Sequence, residues 1–368
     1  MEKSKLTVWQ FFVLTLSFLI GTSFFFTPGG LIAAAKQDAW IVPLWAGTAG
    51  IFAALIWLHL SKLHSGLSIV QICIKVAGRP IGGLLALLYI FYFIQLAAFI
   101  TRNLGDFMKQ ALMPLTPLTI FHVMFLFVTG YAIFKGIETI ARSSELLFLI
   151  MAATLIFVLC LALLEWDWGR FQGIFRMDVW KTMKETSSIF GFPFMEGLVF
   201  LMLFPFVHSN KVKSSFILAY AVATILLSFA TFITIGVLGV TRASHDTYPF
   251  FVIVQEIHIG TFFEHLESTM ALILLVAIFI KLSIAYYCSV LGICQLFKIK
   301  NRFWITIALI LLISGLAMGY DNVVENIEFS KKYDFEYTLL YSVVIPCLLL
   351  LVTWIRRIRK KRTEEPAS

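Results

Sequence analysis

The first long apolar segment of this chain is interrupted at its centre by the sequence GTSFFFTPGG, residues 21–30. A second interruption, GFPFMEG at residues 191–197, lies in the sixth apolar segment. The two interruptions therefore hold the same ordinal place in the two halves of the chain. A continuous helix over residues 7–35 would be about 43 Å long, against a hydrocarbon core of about 30 Å, so a break is expected there.

Paired breaks of this kind predict a binding site for a small solute near the membrane midplane. A broken helix persists in hydrocarbon only where its freed backbone groups line a cavity or are buried in protein. The N-terminus of a half-helix favours an anionic group and exposed carbonyls favour a cation, so an amino acid zwitterion would satisfy both. The alternative is that these glycines and prolines only kink ordinary membrane helices.

The composition identifies the class of protein. Of the 368 residues, 60% are hydrophobic and 14% are charged, whereas a soluble domain carries about 25% charged residues. Apolar runs of about 20 residues recur along the whole chain, which indicates a polytopic membrane protein. The first run is too long for the apolar core of a signal peptide. The bases behind the net charge of +8 lie in short loops and at the C-terminus, which indicates membrane orientation rather than nucleic-acid binding.

Ten candidate spans follow from the apolar runs, at about residues 7–35, 39–61, 82–107, 117–136, 143–165, 186–207, 212–240, 265–296, 302–319 and 337–356. With the N-terminus inside, eighteen of the 29 Lys and Arg residues are cytoplasmic, ten are outside and Lys281 lies within a span. This bias predicts that both termini are cytoplasmic. We expect a single polytopic domain over residues 1–368 that ends in a basic cytoplasmic tail at 357–368.

Two segments outside the spans are more than connections. Residues 166–185 are rich in aromatic residues, which is typical of a membrane interface. Residues 241–264 contain an apolar run too short to span, and we expect it to fold over the outer face as a lid or re-entrant segment. Four acidic residues near span ends are expected to be solvated: Asp106, Glu145, Glu325 and Glu328.

The sequence does not favour an enzyme or a metalloprotein. The five cysteines fall in or beside apolar segments without metal-ligand spacing, and we expect them to be small buried hydrophobic residues. No catalytic motif or soluble domain is evident, so no cofactor is expected.

Two ionisable residues within spans are candidate functional groups, because such residues are costly in a membrane. Lys281 lies near the centre of the eighth span. It can act as a fixed cation in place of a coupling ion, titrate as a proton carrier, or bind carbonyls as a structural group. Glu196 lies at the second break, where it can be a coupling carboxylate, a helix-end carboxylate or the partner of a nearby cation.

Two pairs of residues are further candidates to line a cavity. Tyr92 and Leu96 lie in the third span, and Ser283 and Tyr287 lie in the eighth. The members of each pair are four residues apart and so share a helical face. Core packing is the alternative explanation for the first pair.

An ordered set of short sequences along the whole chain resembles the B subunit of spore germinant receptors. The set comprises LTVWQ at 6–10, IGTS at 20–23, TPG at 27–29, FPFME at 192–196, LFPF at 203–206, TYP at 247–249 and FEHLES at 263–268. That family belongs to the amino acid–polyamine–organocation superfamily. The resemblance implies an all-α, LeuT-like membrane protein of ten helices in a five-plus-five inverted repeat, with helices one and six broken around the substrate. The repeats would cover about residues 7–165 and 186–356.

The resemblance implies a nutrient sensor in the inner membrane of an endospore. Its germinant would be an amino acid or, in some relatives, a sugar or nucleoside, and it would act with receptor A and C subunits. Carried over by position, the pocket would comprise Gly21, Thr22, Ser23, Tyr92, Leu96, Phe194, Met195, Ser283 and Tyr287. Ser23 stands where relatives often have a further glycine. The alternative functions are a proton- or sodium-coupled amino acid transporter and a purely structural subunit.

Overall fold

The computed structural model describes residues 5–256, 266–320 and 322–364, which fold into helices and turns. Thirteen α-helices occur in this part of the chain: α1 Val8–Ile20, α2 Ser23–Ala35, α3 Val42–Leu63, α4 Ile69–Phe107, α5 Leu118–Lys135, α6 Ile137–Ala162, α7 Val179–Glu185, α8 Val212–Ala243, α9 Pro249–Glu256, α10 Leu266–Phe297, α11 Phe303–Ala317, α12 Val323–Leu339 and α13 Ile345–Glu364. Within these ranges there is no β-strand, only an isolated bridge between Leu6 and Val207. Residues 263–265 of the 263–268 sequence and the end of the basic tail, 365–368, lie outside the described residues.

Seven helical stretches among the described residues are long and apolar enough to cross a membrane: Val8–Leu63, Ile69–Leu112, Leu118–Lys135, Ile137–Glu165, Val212–Ala243, Ser268–Phe297 and Asp334–Ile358. Two shorter apolar helices are Phe190–Met202 and Phe303–Ala317. Each of the ten predicted spans thus contains helix, since the first stretch holds two of them. The third differs at its start, because α4 begins at Ile69 and turns at Gly78, where φ is 82°.

Side-chain caps determine where two of the long helices begin. The Thr7 N–H donates to Gln10 Oε1 at 3.0 Å, and the Gln10 N–H donates to Thr7 Oγ1 at 3.1 Å. Ser68 and Gln71 form the same reciprocal pair at the start of α4. Each of these reciprocal pairs, known as capping boxes, satisfies backbone N–H groups that the start of a helix leaves unpaired. Such satisfaction is most important where a helix begins at a membrane boundary.

Contacts along α8 show that the chain reverses between α2 and α3. Phe216, near the start of α8, packs against Phe11 of α1 and Trp57 at the end of α3. Further along α8, the Ser228 hydroxyl donates to the Trp40 carbonyl at 2.6 Å. Helices α1 and α2 therefore run parallel to α8, and α3 returns antiparallel to it.

The bundle has two ends, here called the terminal face and the distal face. The terminal face holds residues 5–7, 64–68 and 298–302. Each of these segments precedes the start of a helix, and each contributes to the lining of one cavity. The distal face holds residues 36–41, 166–189 and 244–248. There the Asp38 carboxylate accepts backbone N–H bonds from residues 175–177 at 2.7–3.1 Å.

The two segments predicted to be more than connections both pack on the distal face. Trp166 and Phe171 stack together against Phe232 of α8. In the second segment, α9 places Phe250 against Phe24 of α2, with ring centroids 4.4 Å apart. The part of that segment beyond residue 256 lies outside the described residues. Its action as a lid stays a prediction.

One expectation about solvation is wrong. Asp106 is buried, and its Oδ1 lies 2.8 Å from Nε of the equally buried Arg102. Asn326 of α12 donates to Asp106 Oδ2 at 3.2 Å. The carboxylate is buried because α12 folds back over the end of α4, whereas the sequence placed residues 320–336 in an outer loop. Glu325 and Glu328 are exposed, as expected.

The expectation that all cysteines are buried is also wrong in part. Cys73 and Cys288 are buried, Cys294 is half-buried, and Cys160 and Cys347 are exposed on the outside of the bundle. Exposure of an apolar side chain on a membrane helix leaves it facing lipid, where burial in protein is not required.

Close helix packing at Gly47 yields a stability prediction. A Cβ at Gly47 of α3 would overlap the Thr224 side chain of α8, whereas a Cβ at Gly83 of α4 would meet nothing within 4 Å. We expect Gly47→Ala to destabilise the protein by about 1–3 kcal/mol through overpacking. Gly83→Ala should stabilise it by about 0.5–1 kcal/mol, because it removes a helix-interior glycine. Thermal unfolding of the purified variants measures both, and effects of the same sign would contradict the packing at Gly47.

Candidate functional site

The first break is short and lies between α1 and α2. Gly21 has φ −40° and ψ −80°, and its N–H still donates to the Ser17 carbonyl at 2.9 Å. The next residue, Thr22, accepts backbone N–H bonds from Phe25 and Phe26 at 3.1 Å. The break therefore redirects the helix at Gly21 and Thr22 and leaves the Thr22 side chain at the junction.

The second break is longer and more irregular. Residues Phe190–Phe194 form a π-helical turn in which Phe192 is extended, with φ −100° and ψ 117°. A 3-10 helix follows over Met195–Met202. Pro193 lacks an N–H and its ring prevents a regular helix here, which explains why the segment changes helix type.

Lys281 of α10 joins the two breaks. Its ammonium nitrogen lies 2.6 Å from Glu196 Oε2, at the start of the 3-10 helix that follows the second break. The same nitrogen lies 3.3 Å from Thr22 Oγ1 at the first break. The Lys281 and Glu196 side chains are 0% and 2% exposed, so both charges lie in the interior of the bundle.

Two aromatic rings complete the surroundings of the ammonium group. The ring centroid of Phe192 lies 4.2 Å from Lys281 Nζ, and that of Phe18 lies 5.1 Å away. A cation over an aromatic face is attracted by the quadrupole of the ring, most strongly when water is excluded. Each break thus contributes a neighbouring ring as well as a polar atom to the same lysine.

The buried ion pair between Lys281 and Glu196 indicates a functional site rather than a contribution to stability. Desolvation of two charges can exceed their attraction, so well-packed apolar residues would hold the bundle at least as well. Ionisable groups at membrane depth usually mark solute or ion sites. An ammonium that contacts both broken segments at once can respond to any change in their spacing.

Four of the predicted pocket residues lie at or beside this ion pair. Thr22 contacts Lys281 directly, and Met195 precedes Glu196 and is buried. Gly21 lies against α10, because a Cβ there would be 3.3 Å from the Ala277 carbonyl oxygen, one helical turn before Lys281. The Ser23 hydroxyl is buried and donates to the Leu19 carbonyl, so it satisfies its own helix rather than facing a ligand.

The other predicted pocket residues are dispersed. Phe194 packs against Gly50, and its carbonyl accepts the Tyr220 hydroxyl at 2.8 Å. The Tyr92 ring packs against Tyr341, in the turn between α12 and α13, with centroids 4.8 Å apart, and Leu96 is buried one turn further along α4. The structure therefore places Phe194 and the α4 pair around the second break rather than at the lysine itself.

The two candidates on α10 separate along the helix axis. The Ser283 hydroxyl is buried without a hydrogen-bond partner, two residues beyond Lys281. Tyr287 lies six residues beyond Lys281, which is about 9 Å along a helix. It borders a cavity at the terminal face, so it does not share a site with Thr22.

Asp334 of α12 was missed by sequence reasoning. Its Oδ2 is buried, has no hydrogen-bond partner, and lies 2.7 Å from where a Cβ of Gly191 would be, directly at the second break. The only available signal was the position of Asp334 just ahead of the last span, predicted to begin at about 337, and Glu336 shares that position. Phe18 and Phe192 were also missed as neighbours of Lys281, since a phenylalanine in an apolar run carries no distinguishing signal.

Two cavities approach the ion pair from opposite ends. The distal cavity, of about 260 Å³, lies between α2, α4 and the second break, with Phe99 and Phe192 among its lining residues. The terminal cavity, of about 1000 Å³, is bordered by Tyr287 and by the basic residues Lys5, Lys298, Lys300 and Arg302. Lys281 lies in neither cavity, and Phe192 separates it from the distal one.

Comparisons with known proteins agree with this architecture. A family profile described as "Spore germination protein" matches residues 5–324. Spore germination protein KB of Bacillus subtilis (strain 168) is 27% identical over 381 residues, covering 100% of each chain.

Two solved structures share the fold. MhsT in complex with L-phenylalanine aligns with a TM-score of 0.67 at 12% identity, covering 96% of this chain and 99% of that one. Mhp1, a nucleobase-cation-symport-1 family transporter in a closed conformation with bromovinylhydantoin bound, aligns with a TM-score of 0.62 at 12% identity, covering 97% and 94%. The expected all-α, LeuT-like membrane fold is confirmed. The names describe germination proteins and a transporter rather than enzymes.

Proposed function

The chain belongs to the spore germination protein family, and on that premise we propose that it is the membrane-embedded sensing subunit of a spore germinant receptor. In this proposal a small solute binds between the two broken segments. The subunit then signals to receptor A and C subunits in the spore inner membrane. Residues 7–165 and 186–356 would form the two inverted repeats.

The observation that supports the proposal is the contact of Lys281 with both breaks. A solute that enters between Thr22 and the second break must alter the distances from Lys281 Nζ to Thr22 Oγ1 and Glu196 Oε2, now 3.3 and 2.6 Å. A ligand shifts a conformational equilibrium only when it binds one state better than the other. A lysine that bridges both segments provides such a difference, because its contacts depend on their separation.

An amino acid is the solute class that we favour. The site offers a cation, a carboxylate and a hydroxyl within one buried cluster, which are complementary to a zwitterion. The similar fold of MhsT was solved with L-phenylalanine bound, and the distal cavity would provide the route of access past Phe192.

The test is a thermal-shift screen of the purified chain against amino acids, sugars and nucleosides, with L-phenylalanine as the first probe. A ligand present at 100 times its Kd stabilises the folded state by about 2.7 kcal/mol. Stabilisation should be lost in Thr22→Val, which removes the hydroxyl on Lys281 and keeps the shape. No stabilisation by any compound would favour a purely structural subunit.

A proton- or sodium-coupled transporter is the second candidate, and the two cavities favour it. The distal cavity is lined by Phe192, which contacts Lys281, and the terminal cavity is bordered by Tyr287, about 9 Å along α10 from Lys281. Alternating access would require each cavity to reach the site in turn. Uptake of a radiolabelled amino acid that stabilises the protein, measured in proteoliposomes, would establish transport; binding without uptake would favour the receptor.

The topology prediction places the terminal face in the cytoplasm. Lys181 of α7 lies on the distal face and Lys300 on the terminal face, and both side chains are exposed. In a background without Cys160, Cys294 and Cys347, which are exposed or half-buried, we expect an impermeant maleimide to label Lys181→Cys in intact cells. Lys300→Cys should react only after permeabilisation. The reverse pattern would contradict cytoplasmic termini.

A further inference from the structure

Among the described residues, the interior of the bundle contains one more carboxylate around Lys281 than its ammonium group can neutralise. Glu196 pairs with Lys281 at 2.6 Å. Asp334 lies within electrostatic range of both groups but contacts neither; its Oδ1 accepts the Thr338 hydroxyl at 3.3 Å and its Oδ2 is buried without a partner. Two carboxylates thus share one ammonium group.

No other described cation compensates Asp334. The electrostatic neighbours of its carboxyl in the described part of the chain are Glu196 and Lys281. Beyond Tyr320 lies Arg102, which is engaged by Asp106 at 2.8 Å. Among the described residues, the other titratable groups within electrostatic range of Asp334 or Glu196 are tyrosines: Tyr92, Tyr220, Tyr320 and Tyr337.

Two of those tyrosines also present unused polar atoms. The hydroxyls of Tyr92 and Tyr337 are buried without hydrogen-bond partners, and their rings stack with centroids 5.7 Å apart. Tyr92 is 2% exposed and lies within electrostatic range of both Glu196 and Asp334. The buried Asp334 Oδ2 and these two hydroxyl groups, all without a hydrogen-bond partner, indicate a position for a group that carries several N–H bonds.

An uncompensated carboxylate in a low-dielectric interior is too costly to persist, so it must acquire a positive charge. We propose that Asp334 is a binding residue for an exchangeable cation: a proton when the site is empty, and the ammonium group of an amine-bearing solute when it is occupied. This proposal rests on the proposed function, whose solute it assigns to the primary amines. The exchange balances, since one proton leaves Asp334 for water as one ammonium ion binds.

The position of Asp334 suits this exchange. Its Oδ2 lies against Gly191, and the next residue, Phe192, forms part of the lining of the distal cavity. An ammonium group that enters from that cavity would meet Asp334 Oδ2 and the two tyrosine hydroxyls, with aromatic rings alongside to favour a cation. Sodium would carry the same charge as a proton. The two are distinguished by the infrared band of a protonated carboxyl group, which sodium cannot produce.

The first test is whether Asp334 carries a proton when the site is empty. It uses infrared spectroscopy of the protein without solute, in nanodiscs and in sodium-free buffer at neutral pH. We expect a protonated-carboxyl band in the wild type that Asp334→Asn removes. Absence of the band, its persistence in Asp334→Asn, or its loss on addition of sodium chloride would each overturn the proposal. This measurement needs no solute, so it can succeed or fail independently of the proposed function.

Butylammonium chloride tests whether an ammonium group binds at Asp334, with butanol as the uncharged control of similar size. Because a proton and the ammonium compete for one carboxylate, the apparent affinity for butylammonium should rise with pH, approaching about tenfold per unit. Asp334→Glu should keep this dependence, and Asp334→Asn should lose both the dependence and most of the affinity. Equal stabilisation by butanol, or a pH-independent affinity in the wild type, would overturn the assignment. Amino acid binding without pH dependence would overturn it and leave the proposed function standing.

Discussion

Lys281→Met should abolish ligand binding and destabilise the protein by about 3–5 kcal/mol, the range for breaking a buried ion pair. Methionine keeps the length of the side chain and removes its charge. Glu196, which is 2% exposed, would then lose a partner at 2.6 Å, and Thr22 would lose the nitrogen at 3.3 Å. Chemical denaturation in detergent and the thermal-shift screen measure the two effects separately.

The double variant Lys281→Met, Glu196→Gln is the matched control. Removing both charges leaves no carboxylate that has lost its ion-pair partner, so most of the lost stability should return. Ligand binding should not return, because the contact between the breaks is still missing. Lys281→Arg keeps the charge and changes its shape, and we expect it to retain a small part of the response. If Lys281→Met binds the ligand as the wild type does, the lysine is not part of the site.

The position of Lys281 also leads to a prediction about whether ligand affinity depends on sodium. If Lys281 substitutes for a coupling ion beside the first break, ligand affinity in the wild type should be the same in sodium and in choline buffer. The ammonium already supplies a fixed charge at Thr22 Oγ1, where an ion would otherwise have to bind. A strong sodium requirement in the wild type would contradict this role and favour an ion-coupled transporter.

The positions of the breaks could be predicted from sequence, because glycine and proline act locally on the backbone. Lys281 and Glu196 could each be selected for the cost of an ionisable group in an apolar run. Their pairing could not be predicted, since it depends on the rotation of α10 against the second break, and Glu196 as the partner of a nearby cation was one of several open alternatives. The structure supports that alternative through the 2.6 Å contact.

The differences between these expectations and the structure have a common physical origin in helix packing. Tyr287 shares a helical face with Ser283, yet about 6 Å of rise separates them, and that rise places Tyr287 at the terminal cavity. Asp106 lies at a span end, where solvent is the usual neighbour, but α12 covers it through Asn326. Hydropathy describes the depth of a residue in the membrane and contains no information about which helix end another segment will cover.

The structure changes the physical reason for the importance of Gly21. From the sequence, the expected reason is that a side chain at a break fills space in which freed backbone meets the ligand. In the structure the Gly21 N–H is bonded to Ser17 at 2.9 Å, and the space beside its Cα is occupied by α10. A Cβ at this position would be 2.7 Å from the Ser17 carbonyl oxygen, 3.3 Å from the Ala277 carbonyl oxygen and 3.5 Å from the Ala277 Cβ.

Gly21→Leu is therefore expected to abolish the ligand response by separating α10 from the first break. The neighbouring atoms are mostly backbone and cannot rotate away, so α10 must shift, and Lys281, one turn beyond Ala277, moves away from Thr22 Oγ1. Overpacking of this kind costs about 1–3 kcal/mol, which leaves the protein folded and its amount in the membrane near normal. Gly83→Leu is the control, because a Cβ there meets nothing within 4 Å, and it should retain full ligand affinity. Parental affinity in purified Gly21→Leu, or germination of spores with this variant at the parental ligand concentration, would show that the solute does not bind at the first break.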